Sequence, residues 1–313
     1  MASSTIVDID LKGLLPKIAS GKVRDLFAVD DNTLLFVASD RISAYDVVMK
    51  NGIPGKGALL TAMSIYWFKY LEAKIPGLKT HFLNRSLPEN VEASVDQNLS
   101  KTLRERSMQV RRLQIVPIES IVRGYITGSA WSEYQKSGTV NGIALPSGLV
   151  EGQQLPKPLW TPSTKAEAGA KDENISPENA RDIIGDETVA KEIERLSLEI
   201  YATAADRAEE VGIILADTKF EFGLDVARGN QVVLVDEVLT PDSSRFWSKE
   251  TWEAHLGKQQ PSFDKQFLRD WLVAQGLKGK NDVVVTDEIV EQTAVKYREA
   301  YELLTGGKLQ PVA

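Results

Sequence analysis

The sequence predicts an α+β protein of two lobes: a β-rich N-terminal lobe over residues 1–116 and a larger α+β C-terminal lobe over 117–313. Three observations predict it. Residues 14–50 are apolar, β-branched runs broken by turn residues such as Asp30-Asp31-Asn32, the pattern of short strands. Met108–Val116 reads as a further strand that stops at Pro117, and Ile118 to Gly128 then reads as a crossover between lobes. Beyond Trp247 the apolar spacing turns helical, over 249–256, 262–275 and 286–304.

Composition narrows the class. At 313 residues the chain is long for one small domain. Hydrophobic residues at 42% and charged residues at 26% suit a globular protein with a sizeable core. A net charge of −7 argues against general binding of nucleic acid or a membrane surface. It leaves room for a local basic pocket. With no cysteine there is no disulfide, thiolate metal site or thiol nucleophile, which fits a reducing compartment. Met1–Lys22 lacks the basic-then-apolar order of a signal peptide. No apolar run approaches the ~18 residues of a membrane span. His81 and His255 stand apart, so a His-based triad or His-rich metal site is not expected.

In chain order, Ser20-Gly-Lys-Val-Arg24 reads as a hairpin loop able to cover a phosphate. Gly21 allows close backbone approach, and Lys22 and Arg24 would point the same way. A solvated turn is the competing reading. Asp40 to Asp46 follows a strand directly, where site residues and plain polar caps both collect. Leu59–Leu71 reads as a core helix with an aromatic stripe, Tyr66, Trp67 and Tyr70. Residues 76–105 are expected to be loop-rich. The crossover at 118–128 would leave backbone N–H and C=O groups unpaired in a cleft, where a purine could use them. Ser129–Lys136 reads as a short helix closed by Gly138. Residues 141–175, with Pro146, Pro156, Pro158 and Pro162, read as a long loop. Thr161-Pro-Ser-Thr-Lys165 within it suits phosphate or carboxylate contact, or simple solvation. Ser176-Pro177-Glu178 starts a helix that ends near Gly185. Asp186 starts the next, whose Val189, Ile193, Leu196, Ile200 and Ala204 share a face.

That helix delivers the chain to the stretch with the sharpest signal. Ile213 to Gly223 and Val232 to Trp247 read as a hairpin around a loop at 224–231. A strand alternates faces, so Asp217, Lys219 and Glu221 share one face and Thr218, Phe220 and Phe222 the other. Three charges on one face of an apolar strand are costly to bury without partners or a ligand. The return adds Asp236, Glu237 and Arg245. Carboxylates beside Lys and Arg suit a divalent cation holding an anion; a structural ion-pair network is the alternative.

Six motifs in order carry a resemblance: Gly21-Lys-Val-Arg-Asp25, Asp40-Arg-Ile-Ser-Ala-Tyr-Asp46, Ile121-Val-Arg-Gly-Tyr-Ile-Thr-Gly-Ser-Ala-Trp131, Thr161-Pro-Ser-Thr-Lys165, Asp217-Thr-Lys-Phe-Glu-Phe-Gly223 and Asp236-Glu-Val-Leu-Thr-Pro-Asp-Ser-Ser-Arg245. The set resembles the SAICAR synthetases of de novo purine synthesis, in their longer fungal form. The resemblance implies an ATP cleft between the lobes and a cytoplasmic enzyme, monomeric or a small homo-oligomer. It implies ligation of a carboxylated aminoimidazole ribotide (CAIR) to L-aspartate with ATP and Mg²⁺, through an acyl phosphate. By position, Gly21, Lys22, Val23 and Arg24 would cover the ATP phosphates. Arg111 and Ile115 would meet the adenine, and Glu119 the ribose. Arg123, Ser129 and Arg245 would grip the CAIR phosphate and carboxylate. Asp217 and Lys219 would stand where γ-phosphate meets CAIR, with Glu221 and Asp236 on the metal. Ser43, Asp46, Thr164 and Lys165 are further candidates for substrate contact. Arg24 stands where bacterial relatives often have Lys, a change that alters phosphate geometry. A small-molecule kinase, or an inactive binding relative, are the alternatives.

Overall fold

The computed structural model describes residues 5–165 and 172–309. The chain opens with strands β1 (Lys17–Ser20), β2 (Arg24–Ala28) and β3 (Thr33–Ala38), then a small hairpin of β4 (Ser43–Ala44) and β5 (Val47–Val48). Helix α1 (Lys56–Lys74) leads to β6 (Phe82–Asn84), α2 (Glu89–Ser94), α3 (Gln97–Arg106), β7 (Ser107–Arg111) and β8 (Gln114–Ile115). Next come β9 (Ile118–Tyr125), α4 (Gly128–Ser137), β10 (Thr139–Val140), β11 (Ile143–Ala144), β12 (Gln154–Trp160) and β13 (Ser163–Thr164). Helices α5 (Pro177–Ile184) and α6 (Glu187–Glu210) precede β14 (Ile213–Asp225), β15 (Gln231–Val235) and β16 (Ser244–Ser248). Helices α7 (Lys249–Trp252), α8 (Gln266–Ala274) and α9 (Asp287–Thr305) follow.

Among the described residues the strands form two large antiparallel sheets, besides the small hairpins β4-β5 and β10-β11. The first runs β1-β2-β3-β7-β6. β3 is buried on both faces: Leu34 and Phe36 join the main core, while Leu35 and Val37 join a second cluster with Ile9, Leu11 and Leu103. The second sheet runs β12-β9-β14-β15, with β8 and β16 also on β14 and β13 on β9. The main core lies between the sheets. It joins Trp67 and Phe68 of α1, Ile193 and Ile200 of α6, and Phe220 and Phe222 of β14. A further cluster packs Ile42, Ile53 and Leu60 against Leu268 of α8 and Tyr297 of α9. The C-terminal helices thus close back on the N-terminal part of the chain.

Several expectations need correcting. Residues 76–105 hold α2 and α3, where a loop was expected. Asp96 caps α3 by accepting the amides of Asn98 and Leu99, each at 2.9 Å. The many charges of α3 hide its apolar side in the sequence. The stretch 118–125 is no free crossover but the strand β9, paired with β14 on one side and β12 on the other. The expected loop 141–175 contains β12, whose Pro156 and Pro158 are tolerated because β12 is an edge strand with a break in register between Gln154 and Leu159; its part at 166–171 lies outside the described residues. The return from β14 is split into β15 and β16, both antiparallel to it, around a turn at 236–243. Asp236 and Leu239 there take positive φ of 64° and 53°, which ends the strand. Caps fall where expected: Ser176 accepts the Asn179 amide at 3.2 Å, and Gly138 and Gly185 end α4 and α5 in the left-handed region. Among the described residues no helix is long and apolar enough to cross a membrane.

One glycine in β9 is fixed by close packing. A Cβ on Gly124 would lie 1.8 Å from the Tyr201 hydroxyl, which itself donates to the Leu215 carbonyl at 2.7 Å. Gly124→Ala is expected to lower stability by about 1–3 kcal/mol through overpacking. Urea denaturation measures it; an unchanged midpoint would mean that Tyr201 moves aside freely.

Candidate active site

The site grows from β14, because the second sheet brings charged partners to both of its edges. Asp217 pairs in register with Arg123 of β9 on one side and Arg245 of β16 on the other. Arg123 donates to the Asp217 carboxylate at 3.0 Å, and Arg245 donates to the same oxygen. Arg123 also donates to the Thr161 hydroxyl at 3.0 Å and the Ser129 hydroxyl at 3.3 Å. Two guanidiniums on one carboxylate leave a positive charge, and burial of Arg123 makes its own charge harder to hold. Such a row attracts an anion.

Two residues along the same face, Lys219 pairs with Glu119 of β9. Partial burial works against the Lys219 charge, but Glu119 and then Glu221 hold the ammonium above its usual range. Two residues further, Glu221 pairs with Lys165, placed by the short strand β13. The opposite face of β14 buries Thr218, Phe220 and Phe222, so the alternation expected from the sequence holds.

Glu221 lies opposite Val235, which brings Asp236 beside it. Burial raises the Glu221 carboxyl, and the charge of Asp236 raises it further. Burial would raise Asp236 as well, yet Arg24 and Lys219 hold it below the usual range. Arg24 reaches this point from the start of β2: it pairs with Asp236, lies 3.7 Å from Glu237, and sits over the Phe36 ring at 5.5 Å. Two adjacent carboxylates are hard oxygen donors. Among the described residues no group of three ligating side chains converges, so further ligands to a cation would have to come from what it binds with.

Other candidates fall elsewhere. Lys22 and Arg24 do not act together: Lys22 pairs with Asp46 at 2.5 Å on the surface, while Arg24 is buried. Gly21 and Val23 flank them, the Gly21 amide bonding the Arg24 carbonyl at 2.7 Å. Ser43 is buried in the hairpin that presents Asp46. Arg111 is held by Asp225 at 3.0 Å and the Thr80 carbonyl at 3.0 Å. Ile115 is exposed, on a strand paired with β14. The backbone between them is only partly free, since the amides of Arg112 and Val116 bond the Asn32 and Phe222 carbonyls.

A cavity of about 630 Å³ adjoins the guanidinium row. Asp46, Ser129 and Arg245 line it with Trp131, Arg269 and Lys278. Sequence reasoning missed Arg269 and Lys278, having taken the chain after Trp247 as packing. No local pattern around α8 separates a lining Arg from a solvated one.

His81 lies on the buried side of Asp236, edge-on to Phe36 and Phe68 at 5.3 and 5.4 Å between ring centroids. Burial pushes its imidazole down to about 3. The unfolded chain therefore takes up this proton first, near pH 6.5. The contribution of His81 to stability is complete above that pH and is lost as pH falls toward 3. Unfolding free energies of His81→Gln should show a shallower decline between pH 7 and 4 than the parent. Equal slopes would assign the acid loss to carboxylates alone.

With this geometry in place, comparison with known proteins is informative. The family model described as SAICAR synthetase matches residues 17–286. The chain belongs to the SAICAR synthetase family. The phosphoribosylaminoimidazole-succinocarboxamide synthase of Pichia angusta is 53% identical over 307 residues, covering 96% of this chain and 98% of that protein. The solved SAICAR synthase of Saccharomyces cerevisiae, complexed with SAICAR, superposes with a TM-score of 0.86 at 48% identity, over 97% of this chain and 99% of the other. A more distant SAICAR synthetase, solved with ADP, has a TM-score of 0.67 at 27% identity, over 93% and 98%. The family therefore shares the two-sheet α+β fold, not just the motifs.

Proposed function

We propose that this SAICAR synthetase joins CAIR to L-aspartate at the expense of ATP, giving SAICAR, ADP and phosphate in purine biosynthesis, with β14 as its reaction track. The observation that carries the reading is the ordered face Asp217, Lys219, Glu221, flanked by Arg123 and Arg245 at one end and Asp236 at the other. Relatives solved with SAICAR and with ADP support product and nucleotide binding in this fold.

A carboxylate is a poor electrophile until one oxygen becomes a leaving group. The CAIR carboxylate attacks the γ-phosphorus of ATP, ADP leaves, and an acyl phosphate forms. The aspartate amine then attacks the acyl carbon. A C–N bond forms, the C–O bond to phosphate breaks, and the amine gives up a proton. Phosphoryl transfer needs positioning and charge neutralisation more than an elaborate base. That suits a chain with two histidines and no cysteine.

Arg123, Ser129 and Arg245 hold the anionic groups of CAIR. Lys219 exchanges Glu119 for the transferring phosphoryl oxygens, and Asp217 keeps both arginines aimed. Arg24 orients Asp236, and Lys22 and Gly21 close over the nucleotide. Arg111, Ile115 and Glu119 border the adenosine side, while Asp46 and Lys165 face substrate from the rim. Glu221 and Asp236 fit Mg²⁺, which takes one or two carboxylates and fills the rest of its shell with phosphate oxygens and water. When bound, the ion neutralises charge on the phosphates. The two sheets part near residue 112, which supports a lobe boundary at 116, with α8 and α9 closing onto the first lobe.

The test is phosphate release from purified protein with CAIR, ATP and Mg²⁺, with and without aspartate. Release that depends on aspartate supports the ligase. Aspartate-independent turnover to a stable phosphorylated product would favour a kinase.

A further inference from the structure

The mechanism leaves unused a cluster of buried charge around Asp242. Asp242, in the turn between β15 and β16, has a side chain only 3% exposed. Lys56, at the start of α1, donates to it at 2.8 Å, and Lys265, just before α8, lies 3.1 Å away. The Tyr297 hydroxyl of α9 donates to its other oxygen at 2.7 Å. Three elements distant in sequence thus converge on one carboxylate. Both lysines are themselves buried.

Such a cluster is a poor way to gain stability. Burying three charges is costly, and apolar residues of similar volume commonly do as well. Its position suggests a different use. The turn that carries Asp242 is tied to several residues of the site. Its Ser243 carbonyl accepts the Lys219 amide at 2.9 Å. Arg245 follows three residues later, and Asp236 and Glu237 precede it. Within the turn, Thr240 donates to the Glu237 carboxylate at 2.6 Å and accepts the Asp242 amide at 3.2 Å. Asp236 and Leu239 hold positive φ without being glycine. Conformations of that kind persist only where the surroundings enforce them. Arg24 fixes one end of the turn, and the contacts of Asp242 fix the other.

We propose that Asp242 is a positioning residue, through which Lys56, Lys265 and Tyr297 set the geometry of Asp236, Lys219 and Arg245. Tyr297 lies past residue 286, where the family match ends. Helix α9 is then part of the catalytic apparatus, although it supplies no group to the substrates.

Asp242→Asn would strand two buried ammonium groups and is expected to compromise folding, so it is not the decisive variant. Tyr297→Phe removes a single hydroxyl and keeps the ring in its packing. It is expected to fold, with kcat about tenfold lower, the KM for CAIR little changed, and half-maximal activity shifted to higher Mg²⁺ concentration. Lys265→Met, read the same way, should move the same two quantities. Circular dichroism at the assay temperature establishes that each variant is folded. A purely structural role would lower the melting temperature and leave kcat and the Mg²⁺ midpoint of the folded protein at parent values; that result in both variants overturns the proposal. The inference rests on the function proposed above. A parent protein with no aspartate-dependent phosphate release would sink that function, whereas an active parent matched by both variants would overturn this inference alone.

Discussion

Asp236→Asn is expected to fold and to lose about two powers of ten or more in turnover, as a metal's charge stabilisation is worth several kcal/mol. The reasoning starts at Glu221, whose carboxyl is raised by burial and by the neighbouring Asp236 charge. Two carboxylates side by side stay ionised most readily around a cation. Asparagine keeps the shape and still accepts from Arg24, but it removes half of the charge that would hold Mg²⁺. Arg24 would then depend on Glu237, 3.7 Å away, so a loss of about 1–3 kcal/mol in stability should accompany the kinetic effect. Steady-state rates across a Mg²⁺ titration check this. The expected curve is displaced to higher metal and reaches a lower plateau. Parent-like turnover at ordinary Mg²⁺ would remove Asp236 from the metal assignment.

Lys219→Met should lower kcat by about 10²–10³, the range seen when one preorganised donor to developing charge is lost. Lys219 is partly buried, paired with Glu119, and within the field of Glu221 and Asp236. Methionine fills the stem's volume and deletes the charge. The acids around it would then repel the transferring phosphoryl group with nothing opposing them. KM for CAIR should change less than kcat, since Arg123, Ser129 and Arg245 are untouched. Single-turnover measurements of ADP formation separate the phosphoryl step from amine attack. A variant slowed only after ADP has formed would place Lys219 at the second step instead.

Much of this was legible in the residues because a strand's alternation is simple. Asp217, Lys219 and Glu221 could be assigned to one face from the sequence, and the aromatic residues between them to the core. Caps such as Ser176 and Gly185 were equally local. What the sequence hid depends on partners far away in the chain. Nothing near Arg24 says that it turns inward to Asp236 while Lys22 stays at the surface with Asp46. The proline-marked stretch at 154–160 reads as loop because edge pairing compensates for missing amides only once β9 is present. Arg269 on α8 and Lys278 in the turn after it look like any solvated charges until the cavity beside Arg245 is seen. Tyr297 looks like core, and by burial it is core; only its hydroxyl has other work.

β14 pairs along both edges, with β8 and β9 on one side and β15 and β16 on the other. Slipping it by one residue would turn Phe220 outward and Lys219 into the core, so its charges cannot be moved along the sheet. They stand like graduations on a ruler, about 7 Å apart for every two residues of strand. From Asp217 to Glu221 the scale spans roughly 13 Å. A substrate with a longer reach between its anionic end and its reacting carboxylate would find no graduation at the right mark. Within this fold, a change of substrate length has to be met by the loops that close over the strand, since the strand itself offers one fixed measure.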